Sequence, residues 1–254
     1  MLSESFARGT SVLHRLDPRL RIVFATLMSI LLAVSTAFPT LFTGLALSAG
    51  LVLVSGLPLV EVARRLTVVN LFNIVLFLVL PVTFEGTPAF LIGPLTCTRE
   101  GLLLAARITI KSNAILMVFV ALVATMPIAT LGHGLHRLHM PKKLVYLLLI
   151  AYRYVFVLEQ EYQRLHTAIR IRGFIPKTNL HTYKTYAYLF GMLLVRALAR
   201  ADRVYQAMLC RGFKGKFYCI HQFSFSWTDR LWTVFFVVAL IVLGGLEWVP
   251  PAIF

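Results

Sequence analysis

Acidic residues are scarce in this sequence: 10 Asp and Glu stand against 25 Lys and Arg in 254 residues, a formal net charge of +15. The few carboxylates form no set suited to general acid–base work. Glu159 and Glu161 fall on different faces of any helix they share, and Asp202 stands beside Arg203. With no nucleophile motif either, no catalytic site is expected and the chain is read as a non-enzyme. Charge of both signs is thin: 14% of residues are charged and 59% hydrophobic, where soluble domains are about a quarter charged. That excludes an ordinary soluble fold. Cysteine is limited to Cys97, Cys210 and Cys219 with no C-x-x-C spacing, which argues against a disulfide framework or a zinc site and for free thiols. The phosphate-binding pattern G-x-x-x-x-G-K-[ST] is missing. "GFKGKF" at 212–217 has the wrong spacing, so no ATPase is expected in the chain itself. A basic excess suggests nucleic acid in a soluble protein, but no basic motif with interleaved aromatics accompanies it here, and no nucleic-acid partner is expected. A cleaved signal is not expected either, because the first apolar run is too long and lacks a small-residue cleavage site.

What is present is a series of long uncharged apolar runs and a mean hydropathy of +0.81. A bilayer-crossing helix needs roughly 20 apolar residues, and the runs place spans at about 18–38, 41–60, 66–84, 102–126 and 230–248. Asp17 is a good N-cap and Pro18 suits the first helical position of span one. Ser226 and Asp229 read as a capping box before the last span. Trp227, Trp232 and Trp248 stand near its ends, where aromatic belts form. Lys and Arg number four in 1–21, two in 61–65, one in 85–99 and fifteen in 137–216. With five spans, the positive-inside bias puts the N-terminus in the cytoplasm and the C-terminus outside.

The stretch 127–229 is too charged to be all membrane and too apolar to be disordered. From Pro141 no Pro or Gly interrupts the chain until Gly173, which reads as one long helix, apolar over 144–158 and polar beyond. A second helix fits 184–211, its apolar middle broken by Arg196, Arg200 and Arg203. Such helices suit the cytoplasmic membrane boundary. The expected fold is therefore all-α: a polytopic membrane protein with five transmembrane helices, or six if 144–158 crosses, plus long cytoplasmic helices. The expected divisions are 1–126, 127–225 and 226–254.

The basic segment carries a repeat. "AIRIRGF" at 168–174 returns 39 residues later as "AMLCRGF" at 207–213, and Arg164 and Ala168 have counterparts in Arg203 and Ala207. Both copies read R-x-x-x-A-x-x-x-R-G-F. Gly173 and Gly212 are helix stops, expected in the left-handed position of a Schellman ending, with Phe174 meeting Ile169 and Phe213 meeting Met208. Pro176 keeps the first helix from resuming. Arg172 and Arg211 then sit at two helix C-caps, favoured there by the helix dipole. Capping alone is served equally by lysine. Arginine's rigid fork suits carboxylates and carbonyls of another protein, and two identical tips suggest two equivalent acceptors on a dimeric partner.

These segments, with "SVLHRLDPRLRI" (11–22), "MPKKL" (140–144) and "LLVRALARADRVYQAMLCRGF" (193–213), resemble the transmembrane T components of energy-coupling factor (ECF) transporters, and among them the CbiQ type that serves cobalt. The matches spread over most of the chain in the family's order, and the doubled Arg-Gly motif is specific. The resemblance implies long cytoplasmic coupling helices whose motif arginines dock on two ABC-type ATPase subunits. In this chain those are Arg172 and Arg211, with Ile171, Gly173, Cys210 and Gly212 beside them and Arg164 and Arg203 behind. Ile171 and Cys210 stand where the family often has alanine or another small residue. It also implies a membrane substrate-binding S component (CbiM-like), a small accessory membrane subunit, a bacterial plasma membrane setting, and ATP and Mg held by the partners, with no cofactor in this chain. Cobalt is the expected cargo, with nickel or a vitamin as alternatives. The rival readings are a self-sufficient channel or secondary carrier, which predicts an inverted repeat that the sequence does not display, and a membrane enzyme.

Other constellations read as structural. His133, His136 and His139 in "GHGLHRLH" invite a metal, but Gly132, Gly134 and Pro141 are expected to break any regular face, leaving an interfacial loop. Arg107 and Lys111 share a face near the outer end of span four, with Glu100 and Glu85 as candidate partners. Asn70 and Asn73 suit interhelical hydrogen bonds. Gly44, Ala46, Ser48 and Gly50 allow close helix approach, within the chain or to a partner.

Overall fold

The computed structural model describes residues 11–84, 86–92, 95–214 and 227–248. Apart from one short hairpin of strands β1 (Pro88–Ile92) and β2 (Leu95–Thr98), its regular structure is helical. In chain order the helices are α1 (Val12–Arg15), α2 (Pro18–Val34), α3 (Phe38–Ser55), α4 (Leu59–Thr83), α5 (Arg99–Phe119), a π-helical turn (Val120–Ala124), α6 (Ile128–Arg137), α7 (Lys142–Ile171), α8 (Leu180–Cys210) and α9 (Trp227–Trp248). They divide into two compact units, one within 4–139 and 223–254, the other within 140–222.

In the first unit, four helices are long and apolar enough to cross a membrane: Phe38–Ser55, Leu59–Thr83, Arg99–Ala124 and Trp227–Trp248. α2 has 17 residues, about 25 Å at 1.5 Å per residue. Its early stop corrects the expected 18–38 span. The Ser35 hydroxyl donates to the Leu31 carbonyl at 2.8 Å, and the Glu247 carboxylate accepts the Thr36 and Ala37 N–H groups at 2.7 and 3.4 Å. Both contacts favour a polar turn over a continued helix. α4 starts seven residues before its expected limit and so carries Glu61, Arg64 and Arg65. As expected, Asp17 caps α2 by accepting the Arg19 N–H at 2.9 Å, with Pro18 in the first turn. Asp229 does more than start α9: it accepts the Asp17 N–H at 3.0 Å and ties α9 to α2. Ser226, the other half of that expected box, lies outside the described residues, as do Cys219 and Glu85.

The core of this unit gathers Phe24, Met28, Leu32, Leu51, Val118 and Phe236, with Phe24 and Phe236 stacked at 4.8 Å. Gly44 lies so close to Leu32 that a Cβ would fall 2.3 Å from its Cδ2; the small residues Gly44 and Ser48 are thus used inside the chain, while Ala46 is exposed. Asn70 and Asn73 join each other and α5, where Ser112 Oγ is 2.9 Å from Asn73 and Asn113 is 2.8 Å from Asn70. Arg107 and Lys111 do not meet Glu100. The guanidinium lies over the Phe38 ring at 4.9 Å and the ammonium donates to Ala33 O at 2.8 Å, because both reach the α2–α3 turn, while Glu100 is taken up by Thr87. Arg21, not singled out in the sequence, is 2% exposed; it donates to Leu122 O at 2.9 Å and to the Thr125 hydroxyl, giving a partner to the backbone of the π turn, whose hydrogen-bond register departs from the α-helix.

"GHGLHRLH" is not a loop. His133 and His136 lie within α6, and both glycines are buried there. A Cβ on Gly134 would approach Ile22 Cδ1 to 2.9 Å and Pro18 Cβ to 3.0 Å, so glycine is what lets α6 pack on α2. His139 follows in a left-handed conformation, φ 66°. Among the described residues no three His, Cys, Asp or Glu side chains are grouped to hold a metal ion.

Candidate functional site

The second unit is built on α7 and α8. α7 spans 30 residues and α8 31, about 45 Å each. Asn179 starts α8 by accepting the Thr182 N–H at 2.9 Å. The two helices run antiparallel. Leu165, Ile169 and Arg172 line one groove with Tyr188, Leu189 and Met192, while Tyr154, Val157 and Leu158 line another with Ala201, Val204 and Met208. Numbers that rise along α7 are met by numbers that fall along α8. The grooves measure about 330 and 310 Å3.

Both helices end in the same way, and the repeated sequence accounts for it. Gly173 has φ 81° and Gly212 φ 75°, values costly for residues with a Cβ. The Gly173 N–H donates to Arg170 O at 3.0 Å and the Phe174 N–H to Ile169 O at 3.2 Å; the Gly212 N–H donates to Leu209 O at 2.9 Å and the Phe213 N–H to Met208 O at 3.0 Å. These are the two paired bonds of the Schellman ending. Arg172 and Arg211 are the C-cap residues, and both are exposed, together with Ile171, Gly173, Cys210 and Gly212. Cys210 is a free thiol. The Phe174 ring finds partners the sequence did not suggest, Tyr186 at 5.9 Å edge-on and His181 at 6.2 Å, and so fixes the turn between the helices.

The antiparallel packing puts Arg172 and Arg211 at opposite ends of the pair. Between them lies a charged cluster missed in the sequence. Glu161 on α7, 9% exposed, accepts from Arg196 of α8. Its other oxygen is 3.7 Å from Arg164 and 3.8 Å from Arg200. The Arg196 hydrogen bond, opposed by burial and aided by the charges of Arg196, Arg164 and Arg200, holds the Glu161 carboxyl below the usual carboxylate range. Arg164 and its counterpart in the second copy, Arg203, are both exposed, and Arg164 reaches Glu161 from that exposed position. A signal for the cluster was available: the 39-residue offset that aligns the arginine tips also aligns Glu161 with Arg200, opposite charges at equivalent positions.

Residues 9–221 match the family model described as CbiQ, cobalt transport protein. The chain belongs to the CbiQ family. The CbiQ-family chain is 28% identical over 256 residues to the energy-coupling factor transporter transmembrane protein EcfT of Brevibacillus brevis, covering 94% of this chain and 95% of the relative. It is 26% identical to the EcfT of Thermosediminibacter oceani, covering 94% of each. Against the cobalt transport protein CbiQ of Rhodobacter capsulatus it is 32% identical over 144 residues, 54% of this chain and 59% of the relative. With its apolar helices, this CbiQ-family chain is a membrane protein and a transmembrane component of the energy-coupling factor type.

Proposed function

We propose that this T component transmits work from two ABC-type ATPase subunits, each receiving one arginine tip, to a membrane substrate-binding subunit that carries cobalt ion. The observation that carries the reading is the pair of matching Schellman endings with exposed C-cap arginines at opposite ends of α7–α8. One tip suits any anionic or carbonyl acceptor. Two identical tips facing apart suit two copies of one acceptor, and the arginine fork adds geometric selectivity. ATP and its magnesium are held by the partners, since the chain has no phosphate-binding loop. α2 joins the four long apolar helices as a fifth span in a bacterial plasma membrane. The N-terminus and α7–α8 lie on the cytoplasmic side, where the basic residues concentrate, and the chain itself does no chemistry. The cobalt names of the family model and of the Rhodobacter capsulatus relative support cobalt as cargo, and the energy-coupling names support the T-component role.

The test is reconstitution. Liposomes holding this chain, its ATPases and its substrate-binding subunit are expected to take up Co2+ in an ATP-dependent manner, more readily than Ni2+. Liposomes lacking the ATPases are expected to show none. Sustained Co2+ flux through the chain alone would refute the proposal and establish a self-sufficient carrier.

A further inference from the structure

We infer that Glu161 is the positioning residue of the α7–α8 pair, a pivot that fixes how the two helices cross and hence where both arginine tips point. The cluster sits at the middle of the pair. The two grooves open on either side of it, one lined by residues on the Arg172 side and the other by residues on the Met208 side. From Glu161 to Arg172 is eleven residues, and from Arg200 to Arg211 is eleven residues. At 1.5 Å per residue each arm is about 16 Å long. The equal arms follow from the repeat, because Glu161 and Arg200 occupy the same place in its two copies. A rotation at this crossing therefore displaces both tips together and by similar amounts.

Grooves flank the crossing on both sides, and a charged contact joins the two helices there. One carboxylate meets three guanidinium groups, two of them from α8. The Arg196 contact is a charge-assisted hydrogen bond, a class about twice as strong as neutral ones, while Arg164 and Arg200 add ion contacts at 3.7 and 3.8 Å. Without Glu161, Arg164, Arg196 and Arg200 would be left facing one another.

This role rests on the reading of the tips as ATPase contacts, and the experiment separates the two claims. Nitroxide labels are placed on cysteines at Lys177 and Lys214, in a chain whose native cysteines are serine, within the assembled transporter. Three variants are compared: Glu161→Gln, Glu161→Arg, and Glu161→Arg with Arg196→Glu. The unmodified pair is expected to give a narrow distance distribution. Glu161→Gln broadens it and Glu161→Arg broadens it further, with uptake per ATP hydrolysed falling about fivefold, the scale of one lost charged network, while both ATPases stay bound. The charge swap narrows the distribution again and restores coupling, which a merely structural loss would not allow. Unchanged width and coupling in Glu161→Gln and Glu161→Arg would overturn the pivot, as would a swap that restores neither. If the unmodified chain binds no ATPase, the proposed function fails instead, and the distance distributions of the chain alone still decide the pivot.

Discussion

Replacing Gly173 or Gly212 by alanine isolates the backbone's share in the tip geometry. Each glycine holds a left-handed φ, 81° and 75°, and a Cβ built on either meets no atom within 4 Å. Space is therefore not the obstacle, and the cost is conformational: about 1–2 kcal/mol for an L-residue in this region, or roughly a 5- to 30-fold shift in the local equilibrium. Asparagine tolerates the region better and is expected to cost less. The readout is hydrogen exchange at the Phe174 and Phe213 amides, whose bonds to Ile169 O and Met208 O exist only while the Schellman turns are closed. Protection is expected to fall at Phe174 in Gly173→Ala and at Phe213 in Gly212→Ala, each by about that factor, with the other amide unchanged and asparagine intermediate. Equal protection in glycine, asparagine and alanine chains would refute the reasoning.

Three further outcomes follow from the same geometry. Arg172→Lys and Arg211→Lys keep the charge at the helix end but lose the fork, so ATP-dependent uptake should fall in both, to a level between arginine and alanine; full uptake by both lysine variants would contradict this. The folded-state carboxyl of Glu161 sits below its ordinary range, held by Arg196, Arg164 and Arg200; its contribution to α7–α8 packing is thus present above the ordinary carboxylate pKa and lost as pH falls through the lowered one, so label distances should broaden only in acid, and not near neutrality. Gly101→Ala would place a Cβ 2.7 Å from Leu80 O and 2.8 Å from Pro81 Cα, backbone atoms that cannot step aside, and should lower the thermal midpoint by the equivalent of about 1–3 kcal/mol, whereas Gly50→Ala, with nothing within 4 Å, should be neutral or stabilising by about 0.5–1 kcal/mol.

Local chemistry was legible in the sequence where it depends on neighbours in the chain. The Schellman endings follow from glycine and its flanking apolar residues, the cap of α2 from Asp17-Pro18, and the Asn70–Asn73 contact from helical spacing. Long-range pairing was not legible from local pattern, and the repeat offset that aligns Glu161 with Arg200 was its one indirect trace. Arg196 and Arg200 looked like interruptions of an apolar helix because their partner, Glu161, lies 35 and 39 residues away and meets them only when α7 and α8 run antiparallel. The end of α2 depends on Glu247, more than 200 residues distant. The helix α6 was hidden by its own glycines: in isolation they weaken a helix, but Gly134 lets α6 approach Pro18 and Ile22 closely. Buried Arg21 carried no sequence signal, since its partners are a backbone carbonyl of a π turn and the threonine that follows it.

The central claim, that each arginine tip receives one ATPase, is tested most directly by counting ATPase subunits on the purified transporter by native mass spectrometry while the tips are removed. The account predicts two ATPase subunits on the unmodified chain, weakened occupancy in Arg172→Ala and Arg211→Ala, and loss of the ATPases when both are replaced. Full ATPase occupancy in the doubly substituted chain would contradict it.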